Sequence, residues 1–102
     1  MIHVIAVITA KPGLRDAVLQ AFRDNVPLVL AEHGCIEYGA AVDLADGPAF
    51  QARYGPDTFV VVEKWADMAA LRAHGGAPHM VAYAARTRDL VASRAIHILS
   101  PA

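Results

Sequence analysis

Cysteine is nearly absent: Cys35 stands alone in 102 residues, so no disulfide can form within the chain. Its thiol falls in an apolar, strand-like run, where it reads as inert packing, and a reducing cytoplasm is the expected setting. Charge is also scarce. Asp, Glu, Lys and Arg make up 19% of the residues, the net charge is −1, and no basic run exists to track phosphates or an anionic membrane surface. This argues against nucleic acid and against a membrane as partners. The opening stretch MIHVIAVITA ends its apolar run at Lys11, too short to span a bilayer, and it lacks the basic leader and small-residue cleavage site of a targeting segment. It reads as a strand. No glycine-rich phosphate loop follows a strand, and no serine or cysteine sits in a nucleophile elbow, so neither nucleotide binding nor acyl transfer is supported. His74 and His79 are five apart across Gly75-Gly76, not the four-residue helical spacing of a zinc pair, and no metal is expected.

What the chain has in quantity is apolar side chains, at 56% of residues. A chain of this length fits one domain, residues 1–102, and leaves about a third of its unfolded surface exposed when folded alone. So much apolar surface on so small a body points to oligomerisation.

Ile2 to Ala10 is β-branched and interrupted only by His3 and Thr9, giving a strand apolar on both faces. Lys11-Pro12-Gly13 punctuates, and Leu14, Val18, Ala21, Phe22, Leu28 and Val29 then follow helical spacing. Pro27 lies inside this helix and predicts a kink or a loosened last turn, while Gly34 can end it in the left-handed conformation. Cys35 to Val42 alternates as a strand, with Ile36, Tyr38, Ala40 and Val42 on one face and Cys35, Glu37, Gly39 and Ala41 on the other. Asp43 to Pro56 has no steady period and reads as a loop, a candidate lid or partner contact. Thr58 to Trp65 is a third strand, with Phe59, Val61, Glu63 and Trp65 sharing a face.

Asp67 caps a short helix ending at Arg72 or His74, and Pro78 starts another through about Val91, with Met80, Tyr83, Ala84, Thr87, Leu90 and Val91 as its buried stripe and Arg86, Arg88 and Asp89 facing outward. Ala95 to Leu99 is the last strand. The order of elements predicts an α+β fold, the split βαβ arrangement of a ferredoxin-like sandwich, with helices on one face of a four-stranded antiparallel sheet. The other sheet face is then bare and apolar, and a second copy packed sheet against sheet, a homodimer, follows from the pattern.

The stretch from Asp57 to Tyr83 concentrates Trp65, His74, His79 and Tyr83 between a buried strand and two helical segments, so any pocket is expected there. The opening MIHVIAVITAKPG, GCIEY at Gly34 to Tyr38, FVVVEKW at Phe59 to Trp65, and the run from Ala70 to Tyr83 containing AH and APHMVAY together resemble the antibiotic biosynthesis monooxygenase family. The resemblance covers nearly the whole chain and rests on the order and spacing of these segments rather than on one motif. It implies a dimeric α/β-barrel with a pocket in each subunit between sheet and helices, and oxygenation of a small aromatic quinol or polyphenol without metal or organic cofactor. Haem-degrading relatives share a strand tryptophan and a helical histidine, matching Trp65 and either His74 or His79. They also use an asparagine on the first strand, whereas the only asparagine here, Asn25, falls in the first helix.

Oxygenation of this kind asks for a pocket that holds a phenol, a base to deprotonate it and exclusion of water; the substrate anion itself reduces oxygen. His79, in the first turn of a helix, sits where the helix dipole favours the neutral ring a base needs, whereas His74, at the end of the preceding helix, is better placed to bind an oxyanion or orient substrate. Each reads otherwise as a surface or capping histidine. Trp65 serves as core packing or as an aromatic wall. Tyr83, one helical turn beyond His79, can donate to a quinol oxygen or simply pack. Glu63 shares Trp65's face, where a buried carboxylate needs a partner such as an arginine, and Tyr38 lines the same pocket or a sheet seam. Two other classes use the same cleft: a non-catalytic binder of a small aromatic or quinone, and an isomerase of a small enolisable metabolite.

Overall fold

The computed structural model describes residues 1–102. Its elements run β1 (Ile2–Ala10), α1 (Arg15–Leu30), β2 (Cys35–Ala41), β3 (Thr58–Trp65), α2 (Met68–Gly75), α3 (Pro78–Thr87) and β4 (Val91–Leu99). The strands form one antiparallel sheet in the order β2-β3-β1-β4. This is the ferredoxin-like arrangement that the order of elements predicts.

One sheet face carries the helices. Alternation along β1 and β3 turns Val4, Ala6, Phe59, Val61 and Trp65 toward Val18, Leu19, Phe22 and Val29 of α1, and these side chains make up most of the core. Fully burying each large apolar side chain is worth about 1.5–3 kcal/mol. The opposite face presents Ile5, Val7, Val60 and Val62, each only partly buried. No helix covers them. At the edge of that face Lys64 pairs with Glu37 at 3.0 Å.

Three local details depart from the simple pattern. A register shift between Cys35 and Glu37 sets Cys35 opposite Trp65 and Tyr38 opposite Glu63, so both lie on the helix face. Strict alternation separates Cys35 from Tyr38; the bulge takes up Ile36, which is exposed, and removes that separation. Second, α3 ends at Thr87 rather than near Val91, and β4 begins at Val91 rather than Ala95. Thr87 Oγ1 donates back to the Tyr83 carbonyl at 2.9 Å, Leu90 N–H turns back onto Thr87, and Val91 then pairs with Ala10. Ladder bonds to the full length of β1 satisfy backbone groups that a longer helix would leave to water, and the apolar spacing from Thr87 to Val91 is coincidental. Third, α1 continues as one element through Pro27. Arg23 and Pro27 both face solvent there, where water can take the carbonyl that Pro27 cannot serve.

Gly34 joins α1 to β2 at φ +82°. A Cβ there would lie 2.6 Å from Ala70 Cβ of α2, so the residue needs both the left-handed backbone and the missing side chain. The loop between β2 and β3 is closed by Asp43, whose carboxylate accepts the Tyr54 and Gly55 N–H groups at 3.0 and 2.9 Å and is held below its ordinary range by those bonds. Phe50 at the loop's tip is 90% exposed.

Candidate active site

The inner layer starts on β3. Residues two apart share a face, so Glu63 and Trp65 both point under the helices, and the Trp65 indole N–H donates to Glu63 Oε1 at 2.9 Å. The expected arginine partner for Glu63 is not there: the carboxyl is buried, and the indole is its hydrogen-bond donor. Burial raises Glu63 above its ordinary value, while the Trp65 bond and nearby His74 pull it partly back. Tyr38, its cross-strand neighbour, is also buried, and desolvation pushes its hydroxyl well above the usual tyrosine range.

The second layer comes from α2 and α3. Asp67 Oδ1 caps α2 by accepting the Ala70 N–H at 2.8 Å, and the helix then carries His74 to its inner face. The His74 ring lies 4.6 Å from the Trp65 ring and meets Tyr38 edge-on at 5.5 Å. Gly75 and Gly76 break the helix, Pro78 opens α3, and His79 follows in its first turn.

Both histidines converge on one oxygen. Glu32 Oε2 lies 2.8 Å from His74 Nδ1 and 3.0 Å from His79 Nε2. A carboxylate oxygen only accepts, so each ring presents an N–H to Glu32, and His74 Nε2 and His79 Nδ1 take no part in that contact. The contrast expected from opposite helix ends is thus overlaid by a carboxylate shared between the two rings. His74 is buried, whereas the His79 side chain is 21% exposed.

Outside this cluster the side chains are aromatic. Phe22 of α1 stacks on Tyr38 at 5.1 Å, meets Phe59 at 5.9 Å and meets Tyr83 edge-on at 6.5 Å. Tyr83 lies one turn beyond His79 on α3 and lines a cavity of about 370 Å³ between α3, β1 and the start of β4. Burial raises its hydroxyl, partly offset by the Arg94 guanidinium. The remaining wall includes Ile8, Ala84, Thr87, Arg88 and Val91.

Of the six side chains singled out in the sequence, Tyr38, Glu63, Trp65, His74 and His79 come together around or beneath Glu32. Tyr83 instead faces the cavity, and none of the other five lines it. Sequence reasoning passed over Glu32, Phe22, Arg88 and Arg94. For Glu32 a signal existed: a carboxylate just past the C-terminal end of a helix sits where the dipole disfavours it, so its presence calls for a cationic or donor partner. Asn25 lies in α1, buried, donating to Met80 Sδ at 3.3 Å. No three His, Cys, Asp or Glu side chains are placed to hold a metal ion.

Fold and site together define a ferredoxin-like α+β protein with a carboxylate-bridged histidine pair beneath its helices and, one helical turn along α3, a cavity lined by Tyr83. The chain belongs to the antibiotic biosynthesis monooxygenase family, whose model matches residues 1–86. It is 44% identical over 103 residues to the probable quinol monooxygenase YgiN of Escherichia coli K12, covering 99% of this chain and 98% of that protein. The fold matches PA3566 from Pseudomonas aeruginosa at TM-score 0.82 and 29% identity, covering 99% and 93% of the two chains. Rv0793 from Mycobacterium tuberculosis matches at TM-score 0.80 and 27% identity, covering 99% and 94%.

Proposed function

We propose that this protein oxidises a small aromatic quinol or polyphenol with molecular oxygen, using no cofactor, with His79 as the base and Glu32 and His74 holding and polarising it. The observation that carries the reading is the Glu32 oxygen bonded to both histidines one turn along α3 from Tyr83, which lines the cavity. Family membership and the likeness to a probable quinol monooxygenase support it.

The chemistry balances without a further reagent. His79, which does not itself line the cavity, takes the phenolic proton of a ring seated against Tyr83 and reaching back one turn along α3. Glu32 stabilises the imidazolium that forms. The ring anion gives one electron to oxygen, the two radicals join in a carbon–oxygen bond, and the hydroperoxide loses water. A hydroquinone plus O₂ becomes a hydroxyquinone plus H₂O, the proton held by His79 leaving with the departing oxygen. Tyr83 donates to a quinol oxygen, Trp65 and Tyr38 hold the His74 ring from beneath, and Glu63 fixes the indole.

The working unit in this proposal is a homodimer, a second copy covering the row of Ile5, Val7, Val60 and Val62 on the helix-free sheet face. An isolated chain would leave that row in water.

The test is oxygen uptake by purified protein with a panel of reduced quinones and polyphenols, corrected for autoxidation, for wild type and His79→Ala. Uptake that falls to background in the variant supports the reading. A panel without uptake in wild type overturns it in favour of an isomerase or a binding module.

A further inference from the structure

The cavity beside Tyr83 has a charge pattern that oxygenation of a neutral quinol does not require. Its charged lining residues are Arg88 and Arg94, and no carboxylate lines it. The ion pairs of the molecule are Lys64–Glu37, Arg86–Asp24 and the two histidine contacts to Glu32, so neither cavity arginine has an acidic partner. Most Lys and Arg side chains of this molecule also lack a carboxylate partner, so the signal is their placement: two guanidinium groups and no carboxylate line one concavity. Arg88, next to the end of α3, has a bland explanation in the helix dipole. Arg94, exposed on β4 opposite Ile8, lines the same cavity from the other side, and its charge reaches the Tyr83 hydroxyl. The rest of the wall, with Ile8, Tyr83, Ala84 and Val91, offers apolar surface to a ring. A volume of about 370 Å³ lies at the lower end of the range that small-molecule sites occupy and suits one or two rings.

We infer that the substrate is an aromatic acid, a phenol or quinol bearing a ring carboxylate, with Arg94 and Arg88 binding the carboxylate and Tyr83 facing the ring. The inference rests on the proposed oxygenation only for the redox-active ring; recognition of the anion belongs to the cavity itself. Arginine matches a carboxylate in a two-point fork and keeps its charge at any working pH, so it discriminates an acid from its ester.

The test uses a redox-inert pair, 1-hydroxy-2-naphthoate and its methyl ester, titrated calorimetrically into the purified protein. The acid is expected to bind about tenfold or more tighter than the ester. Raising NaCl from about 50 mM to about 500 mM should weaken the acid alone. Arg94→Gln should abolish the preference and Arg88→Gln reduce it, while Arg94→Lys keeps part of it. Arg86→Gln, whose side chain pairs with Asp24 outside the cavity, should retain it in full. Equal binding of acid and ester, no binding of either, or a preference that survives both glutamine variants overturns the inference. Oxygen uptake with 2,5-dihydroxybenzoate and with its methyl ester separates this from the proposed activity. An arginine-dependent preference without uptake leaves the acid site standing and removes the oxygenase; uptake with the ester and no acid preference does the reverse.

Discussion

Glu32 and His74, forty-two residues apart, are joined by a 2.8 Å contact that ties the end of α1 to the inner face of α2. The same oxygen holds His79, so one carboxylate sets the proton position on both rings. Glu32→Gln keeps the shape and an accepting oxygen but removes the negative charge. If that charge stabilises an imidazolium formed during turnover, kcat should fall by about 10- to 100-fold with KM within about twofold of wild type. Steady-state oxygen uptake measures both constants. A parallel loss of melting temperature would instead mark a structural role.

The two histidines should separate by what they damage. His74 is buried between Trp65 and Tyr38, so His74→Ala leaves a cavity and should cost about 2–4 kcal/mol in urea unfolding. His79 is partly exposed, and its alanine variant should cost less than about 1 kcal/mol while lowering kcat by about 10²- to 10⁴-fold. The opposite assignment, a stable His74 variant without activity, would move the base to α2.

Glu63 predicts a pH effect of definite sign. Burial raises its carboxyl above the ordinary 4.5, so the folded state takes up a proton more readily than the unfolded chain. Its contribution is therefore most favourable below that ordinary value and is lost as pH rises through the raised one. Glu63→Gln can still accept from Trp65 and carries no charge. Its stability relative to wild type should increase as pH is raised from about 4 toward neutrality, read from urea midpoints. Asp24 and Asp43, both lowered, act in the opposite direction in both proteins and cancel in the difference.

Gly34 links the fold to the site. Gly34→Ala puts an L side chain at φ +82° and within 2.6 Å of Ala70 on the helix that carries His74. The cost should be about 1–3 kcal/mol, or a melting-temperature loss of roughly 5–15 °C. Adding Ala70→Gly removes the clash but not the backbone strain, so it should restore part of the loss and no more. Full recovery would show that the backbone term is negligible.

These positions show what the sequence can and cannot carry. Alternation along β1 and β3, the Asp67 cap, Pro78 and Gly34 are local signals, each read by rules that involve a few neighbouring residues, and the fold follows from them. Glu63, Trp65, His74 and His79 were legible as a group because β3, α2 and α3 are close in the chain, whereas Tyr38 joins them from β2 through strand pairing. Glu32 and Arg94 reach the site from α1's end and from β4, and only sheet order and helix packing bring them there. The bulge at Ile36 and the start of β4 at Val91 were hidden for a related reason: each is decided by pairing to a distant strand.

The helix-free sheet face gives the last prediction. Val62 lies in its middle, paired across the ladder with Ile5 on one side and Gly39 on the other. In an isolated chain a lysine there would extend its ammonium into water at little cost, because the position is only partly buried. In a dimer packed sheet against sheet the same charge would be driven into an apolar seam without a partner. Sedimentation equilibrium should therefore find wild type at twice the 10.9 kDa chain mass and Val62→Lys at the mass of one chain, with its far-ultraviolet circular dichroism retained. Val81→Lys, on the exposed side of α3, should remain at the wild-type mass. A wild-type protein that sediments as one chain, or a Val62→Lys protein that still sediments as two, would place any assembly on a different surface and leave the open face to another role.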